Sequence, residues 1–265
     1  MLFRYAQASQ TTLRTARGRT GIMGMTTNRN FAWSVTSAGS PEPGVQDFLL
    51  DSGNLIKAKI SSRGATLTSV KMEGEEVTVS LDMLGGKATD SRGLKHYAGV
   101  TTGRVTGRMR NTFEANGKTY TLAQNDGPNN IHGGLRGWDD YVWDTSVLEK
   151  TIRLSEITKL APGQDDTVFK GVTFSRTSPD MEEGFPGTLE AKSTFLISED
   201  DKLAFFFEVE FAKGQPPLKT PLSMTNHALW NLSGDFKETV RYHDCKLNCH
   251  KWLPADGISM PTGEM

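Results

Sequence analysis

Apolar and polar residues alternate along two neighbouring stretches in the second half of the chain. Residues 203–211 have leucine, valine or phenylalanine at every odd position, and residues 189–197 show a similar alternation. Side chains of a β-strand point alternately to its two faces, so a period of two predicts a strand with one apolar face. The polar segment 198–202 predicts a turn that joins the two strands into an antiparallel pair.

Shorter runs of the same kind begin near residue 45. Residues 48–50 and 55–60 predict two strands of a hairpin, because the segment between them has the aspartate, serine, glycine and asparagine typical of a turn. A third strand is predicted at residues 64–70. The chain therefore enters its folded part through a series of short strands.

A further hairpin is predicted at residues 112–122, where Asn116-Gly117 separates two apolar runs. Asn-Gly favours the type I′ turn, whose twist matches that of the strands beside it. No stretch shows a convincing apolar period of 3.6 residues over more than about two helical turns. Repeated short strands with regular turns predict an all-β protein, either a sandwich or a barrel.

The N-terminal segment differs in composition from the rest. Residues 1–41 contain five arginines and no acidic residue, and residues 36–44 are rich in serine, glycine and proline. We interpret residues 1–44 as a flexible or targeting-like tail with a linker, and residues 45–265 as the folded domain. An arginine-rich, acid-free N-terminus is typical of a mitochondrial transit peptide, but a disordered tail or a later start at Met23 or Met25 also fits.

Charge and cysteine content narrow the possible partners and compartment. The net charge is −1 and the isoelectric point is near 6.5, so no field of one sign would attract nucleic acid or an anionic membrane. No apolar run is long enough to span a bilayer as a helix. Two cysteines in 265 residues fit a reducing compartment. We therefore expect a cytoplasmic protein, with a mitochondrial location as the alternative.

Two histidine motifs are the strongest candidates for chemistry. His132 stands in Asn-Asn-Ile-His-Gly-Gly, and His227 stands in Thr-Asn-His-Ala-Leu-Trp, which ends at Trp230. Histidine exchanges protons near neutral pH, and an aromatic ring beside amide groups suits a sugar, whose C–H face stacks on rings. The glycines after His132 would let the backbone approach a ligand closely. The motifs suggest an acid–base site for a sugar, but neither includes a carboxylate.

Other polar segments leave alternatives open. Arg104 and Arg108 lie among small residues and could form a fork that binds ligand oxygens, or a solvated strand and turn. Glu182 and Glu183 lie in a turn, where their carboxylates could be surface charge. Residues 243–250 contain two cysteines and two histidines, but without a second separated pair of ligands we interpret them as a strand with semi-buried thiols rather than a zinc site.

Several motifs together resemble the aldose 1-epimerases, the galactose mutarotase family. They occur in that family's order and at compatible spacing, and they cover about residues 45–265. The matching segments are 103–108, 113–122, 129–134, 137–138, 178–187, 225–234, 253–254 and 261–264.

The resemblance implies a large antiparallel β-sandwich that interconverts the α- and β-anomers of a free hexose such as galactose or glucose, without metal or cofactor. It implies that His227 is the general acid that protonates the ring oxygen. His132 and Arg108 would bind the sugar. Members with asparagine directly before that arginine have an extra donor, whereas this chain has Gly107 in the substrate-binding segment.

The resemblance also implies a further C-terminal segment with a substrate-binding aspartate and the glutamate that acts as base. We therefore expect the β-sandwich to be C-terminally incomplete at Met265, and Glu264 belongs to a turn motif rather than to the base. Two alternatives follow. One is a catalytically impaired member that still binds sugar. The other is a hexose-6-phosphate 1-epimerase, in which Arg104, Arg108 and Arg110 would bind the phosphate.

Overall fold

The computed structural model describes residues 32–79, 95–157, 167–234, 236, 238–245 and 251–264, together with the backbone of one strand at residues 3–5. Within these ranges helix is limited to single turns, namely α1 (Leu154–Ile157) and the 3-10 turns Trp138–Asp140 and Val240–Tyr242. The described helices include none that could cross a membrane. The strands in chain order are β1 (Phe3–Tyr5), β2 (Ser34–Gly39), β3 (Asp47–Asp51), β4 (Ile56–Ser61), β5 (Thr66–Met72), β6 (Glu75–Glu76), β7 (Thr101–Thr102), β8 (Met109–Arg110), β9 (Thr112–Ala115), β10 (Lys118–Thr121), β11 (Asn129–Asn130), β12 (Asp144–Val147), β13 (Ile152–Arg153), β14 (Val168–Ser178), β15 (Leu189–Ile197), β16 (Leu203–Phe211) and β17 (Thr225–Asn226).

Two antiparallel sheets enclose the main core. One has the order β2-β3-β4-β5-β6, and the other has the order β1-β16-β15-β14-β12 with β13 also paired to β14. Apolar residues of both sheets join one buried cluster, in which the ring of Phe48 on β3 packs edge-on against Phe174 on β14 at 5.9 Å between centroids. The all-β class and the antiparallel sandwich predicted from the sequence are confirmed.

The long alternating strands form as the period of two predicts. β15 and β16 pair over their whole length, with Leu189 opposite Phe211 and Ile197 opposite Leu203. The odd-numbered side chains of β16 belong to or pack against the core cluster. The turn that joins these strands also contacts the other sheet, because the Asp201 carboxylate accepts hydrogen bonds from Ser52 Oγ at 2.5 Å and from the Leu55 N–H at 2.8 Å.

The Asn-Gly hairpin is likewise confirmed. β9 and β10 pair in antiparallel fashion, and both Asn116 and Gly117 have positive φ angles, +53° and +71°. Positive φ at both central residues is what a type I′ turn requires. Tyr120 stacks on Phe113 across this hairpin at 5.2 Å between ring centroids.

The linker prediction is wrong for residues 36–39. They belong to β2, which pairs with β3 in a register that places Val35 opposite Leu50. The outer half of β2 is exposed, so serine, threonine and glycine serve as an edge strand without the apolar alternation that marks a buried one. Residues 40–44 form the turn into β3, and residues 6–31 lie outside the described chain.

The predicted strand at residues 243–250 is not found in its described part. Residues 243–245 follow a 3-10 turn as irregular chain, and Cys245 is exposed rather than semi-buried. Cys249 lies outside the described residues. The two cysteines are only four positions apart, and so short a segment does not distinguish a strand from a loop.

Candidate functional site

The two predicted histidines contact each other in the folded chain. Their imidazole centroids are 5.1 Å apart and the rings are nearly perpendicular, at 86°. His227 follows β17, which pairs with β7. Its N–H donates to the Val100 carbonyl at 2.8 Å, and its carbonyl accepts from the Gly99 N–H at 3.0 Å. Short strands therefore fix the backbone of His227 on both sides.

His132 is held by a single carbonyl oxygen. Its backbone N–H and its ring Nδ1 both contact the Thr106 carbonyl, at 3.2 and 2.8 Å. A carbonyl oxygen only accepts hydrogen bonds, so Nδ1 carries the proton and Nε2 has a free lone pair when the ring is neutral. His132 also has φ +54°, a conformation that is uncommon for a residue with a side chain.

Burial keeps the His132 ring uncharged. It lowers the pKa of His132 to about 4, with further lowering by the nearby His227 and by Arg108, while the Thr106 carbonyl acts in the opposite direction. A proton on this ring would lose hydration and lie close to a second imidazole. His132 is therefore neutral near pH 7.

The two glycines after His132 serve packing rather than an open approach to a ligand. A Cβ at Gly133 would overlap the Gly103 carbonyl, and one at Gly134 would overlap the Glu183 carboxylate. Both glycines also have positive φ. The loop that carries His132 thus lies tightly against the segment 103–108, which corrects the expectation drawn from the sequence.

Tyr97 is a third aromatic residue next to the two imidazoles, and the sequence did not predict it as a site residue. Its ring centroid lies 4.4 Å from that of His132 and 6.2 Å from that of His227. Trp230, which the sequence suggested as the sugar-stacking ring, instead packs against the core cluster and is partly buried. Tyr97 lies two residues before Gly99, whose N–H donates to the His227 carbonyl, but this contact is visible only in the folded chain.

Arg108 is near enough to His132 for its charge to lower the pKa of that ring, and it is oriented by an acid that was not predicted from the sequence. Its Nε donates to Asp126 Oδ2 at 2.6 Å, and about a third of each side chain is exposed. Because Arg108 pairs with Asp126 through Nε, its two terminal amino groups are available to other acceptors. The neighbouring Gly107 is exposed, and a Cβ at this position would meet no atom within 4 Å.

Arg104 has a structural role rather than the ligand role considered from the sequence. It is 1% exposed, and all five of its N–H groups donate within the protein. Burial lowers its pKa to about 10, with Glu182 opposing the effect, so it stays charged at neutral pH. Its acceptors are Ser178 Oγ and the carbonyls of Ser178, Pro179, Phe185 and Pro186.

The two turn glutamates are structural as well. The Glu182 carboxylate is 8% exposed and accepts from Arg176 Nη2 at 2.6 Å and from Trp138 Nε1 at 3.0 Å. Glu183 accepts from the backbone N–H groups of Leu135 and Arg136, directly after the His132 loop. The turn at 178–187 therefore supports the loop that carries His132.

These features define the class of the molecule: an antiparallel β-sandwich with two imidazoles in contact and an arginine beside them. The chain belongs to the aldose 1-epimerase family, whose sequence model matches residues 46–265.

Curated relatives agree with this assignment. The chain is 32% identical over 223 residues to galactose mutarotase from Sus scrofa, an alignment that covers 83% of this chain and 57% of the relative. It is 27% identical over 200 residues to aldose 1-epimerase from Escherichia coli K12, an alignment that covers 75% of this chain and 51% of the relative. The chain thus spans little more than half the length of these relatives.

Solved structures show the same fold. A galactose 1-epimerase from Lactobacillus acidophilus NCFM superposes with a TM-score of 0.59 at 22% identity, covering 76% of this chain and 54% of the other. An aldose epimerase homologue from C. elegans superposes with a TM-score of 0.61 at 23% identity, and the match covers 88% of this chain and 61% of the homologue.

Proposed function

We propose that this chain acts in the interconversion of the α- and β-anomers of a free aldohexose such as galactose or glucose. The family membership supports this reaction. The observation that carries it is the contact between His132 and His227, because ring opening and closure of a hemiacetal needs proton transfer at neutral pH. Each anomer opens to the same aldehyde, and closure on the other face of the carbonyl gives the other anomer.

We assign His227 as the general acid that protonates the ring oxygen. The family resemblance implies this role for His227, and His132 is neutral near pH 7 because of its low pKa, so we do not assign the proton donor to His132. His132 accepts a hydrogen bond from a sugar hydroxyl through Nε2. Arg108 donates to further hydroxyls, and the exposed Gly107 next to it leaves space for the substrate.

The base that removes the proton from the C1 hydroxyl is a carboxylate in the mechanism that the family resemblance implies. Within the described part of the chain, the partner of His132 Nδ1 is a backbone carbonyl and the buried His227 Nδ1 has no hydrogen-bond partner. We therefore assign no residue to the base.

Arg104 argues against the hexose-6-phosphate alternative. A phosphate site needs several donors that face the ligand, and all five donors of Arg104 are used inside the protein. The substrate proposed is therefore an unphosphorylated hexose. A cytoplasmic location, supported by the low cysteine content, is part of the same proposal.

Polarimetry tests the proposal. Fresh α-galactose and α-glucose should lose rotation faster with the purified chain than in buffer, and His227→Asn should reduce this acceleration by about 10²–10⁴-fold, as expected for loss of a general acid. Glucose 6-phosphate is the control sugar and should not be accelerated.

Two results would contradict the proposal. Full activity in His227→Asn would mean that the acid is another group. A wild-type rate equal to that of buffer, together with measurable galactose binding by calorimetry, would identify the chain as a sugar-binding member without catalysis.

A further inference from the structure

Tyr97 touches both members of the imidazole pair. Its ring tilts at 60° to His132 with 4.4 Å between centroids, and at 39° to His227 with 6.2 Å. The three rings therefore form one aromatic cluster, in which each ring is in or near contact with the other two. A tyrosine in this position covers surface that the imidazoles would otherwise expose to water.

The backbone holds Tyr97 in this cluster against its own preference. Tyr97 has φ +53° and His132 has φ +54°, both in the left-handed region that residues with side chains rarely occupy. Such conformations persist where surrounding contacts determine them, and they concentrate at functional sites. Tyr97 also begins the turn that ends at Val100, and Gly99 within that turn donates to the His227 carbonyl. The turn thus connects Tyr97 to the backbone of His227.

The charged groups near Tyr97 are one ammonium and two carboxylates that pair with one another. The Lys95 ammonium lies 5.7 Å from the centre of the Tyr97 ring and pairs with Asp139 at 3.0 Å and with Asp140 at 2.5 Å. Burial raises the pKa of the Tyr97 hydroxyl, and the charge of Asp139 adds to this effect. Tyr97 therefore remains neutral and contributes a ring rather than a charge to the cluster.

We infer that Tyr97 is a positioning residue for the imidazole pair, whose ring fixes His132 against His227 and excludes water from both. The inferred effect on catalytic rate rests on the proposed function, whereas the effect on the imidazoles does not. The groups that face His132 are then Tyr97 and His227 by contact, with Arg108 and Asp126 at longer range.

Removal of the ring has a consequence for His132 that can be measured directly. Water would reach the imidazole, and the burial that holds its pKa near 4 would be reduced. The pKa of His132 should then move up, towards the ordinary value for histidine. A ring without the hydroxyl, by contrast, would exclude water as well as tyrosine does.

The experiment compares Tyr97→Ala, Tyr97→Leu and Tyr97→Phe in the full chain. The imidazole signals are followed by NMR as the pH is varied, and the His132 signal is assigned by its loss in His132→Asn. Tyr97→Ala and Tyr97→Leu should raise the proton affinity of His132 by tenfold or more, which is one pKa unit. Tyr97→Phe should leave it unchanged.

Tyr120→Ala provides the matched control, because Tyr120 is also a stacked tyrosine but lies on the β9–β10 hairpin. It should leave the titration of His132 unaltered even if it lowers stability. Tyr97→Leu keeps the test valid if Tyr97→Ala fails to fold, since leucine retains apolar volume without an aromatic ring.

Polarimetry gives the second readout. Tyr97→Ala should lower kcat about tenfold or more with a smaller change in KM, because the imidazoles lose their alignment while Arg108 still binds sugar. An unchanged His132 titration in both Tyr97→Ala and Tyr97→Leu would overturn the inference. Equal effects of Tyr97→Phe and Tyr97→Ala would also overturn it, because the hydroxyl would then be the active group. A wild-type chain without mutarotation contradicts the proposed function alone, since the titration is measured without sugar.

Discussion

At the scale of the residue, the same amino acid has different roles according to its hydrogen-bond partners. Arg104 and Arg108 are four positions apart, and their residue pattern alone did not separate them, although the family resemblance implied sugar binding for Arg108 only. The donors of Arg104 are all taken by the turn at 178–187, whereas Arg108 pairs through Nε with Asp126 and is about one-third exposed. Burial and partner count, which are tertiary properties, separate a structural arginine from one that can bind a ligand.

The pKa of His132 predicts how stability depends on pH. The folded state holds the pKa near 4, below the value of about 6.5 for an exposed histidine, so the unfolded chain binds more protons between these values. The contribution of His132 to the free energy of unfolding is fully present above about pH 6.5 and is lost as the pH falls towards 4. Partial exposure of the ring limits the effect to at most ~3 kcal/mol.

Urea unfolding between pH 4 and pH 7 measures this contribution. The free energy of unfolding of the wild type should decrease as the pH falls from 7 to 4. That of His132→Asn should decrease less, because the variant has no imidazole to protonate at this position. Parallel pH curves for the two proteins would show that His132 does not titrate as its burial implies.

At the scale of the element, local patterns predict strands well when one face is buried. β15, β16 and the Asn-Gly hairpin follow directly from alternation and turn chemistry. β2 was missed because an edge strand with exposed serine and threonine has no apolar period. Tyr97 could not be predicted as a site residue, since its contacts arise from residues 35 and 130 positions away along the chain.

The turn at 178–187 depends on Arg104. Arg104→Met would remove five hydrogen bonds, three of them to carbonyls of the buried residues Ser178, Phe185 and Pro186, and the free energy of unfolding should fall by about 3 kcal/mol or more. Arg104→Lys should lose less, because an ammonium keeps three donors. Urea denaturation measures the change.

Arg110→Met is the control for this prediction, since Arg110 is exposed and its replacement should change stability by about 0.5 kcal/mol or less. Stability equal to that of the wild type in Arg104→Met would mean that the turn does not need these hydrogen bonds.

At the scale of the whole molecule, the two sheets are joined by polar contacts as well as by the core. Asp201 lies in the β15–β16 turn and accepts hydrogen bonds from Ser52, Leu55 and Asn54 at the β3–β4 turn. One carboxylate therefore connects the ends of two hairpins that belong to different sheets. The sequence marks both turns, but it does not show that they meet, because 149 positions separate Ser52 from Asp201.

Asp201→Gly tests this connection. Asp201 has φ +58°, a conformation that glycine adopts without strain, so the variant removes the carboxylate and not the turn. Hydrogen bonds to a charged group predict a loss of about 2 kcal/mol in the free energy of unfolding. Glu199→Gly, in the same turn and exposed, should lose clearly less. Equal losses in a thermal melt of the two variants would assign the effect to backbone flexibility instead.

The hydrogen bonds on both sides of the His227 backbone reduce the conformational entropy that this residue can lose when a ligand binds. With its N–H and carbonyl already paired to Val100 and Gly99, this residue has only the two torsions of its own side chain left to adjust. The entropy of ordering the backbone of His227 is therefore lost once, when the chain folds, rather than each time a ligand binds beside it.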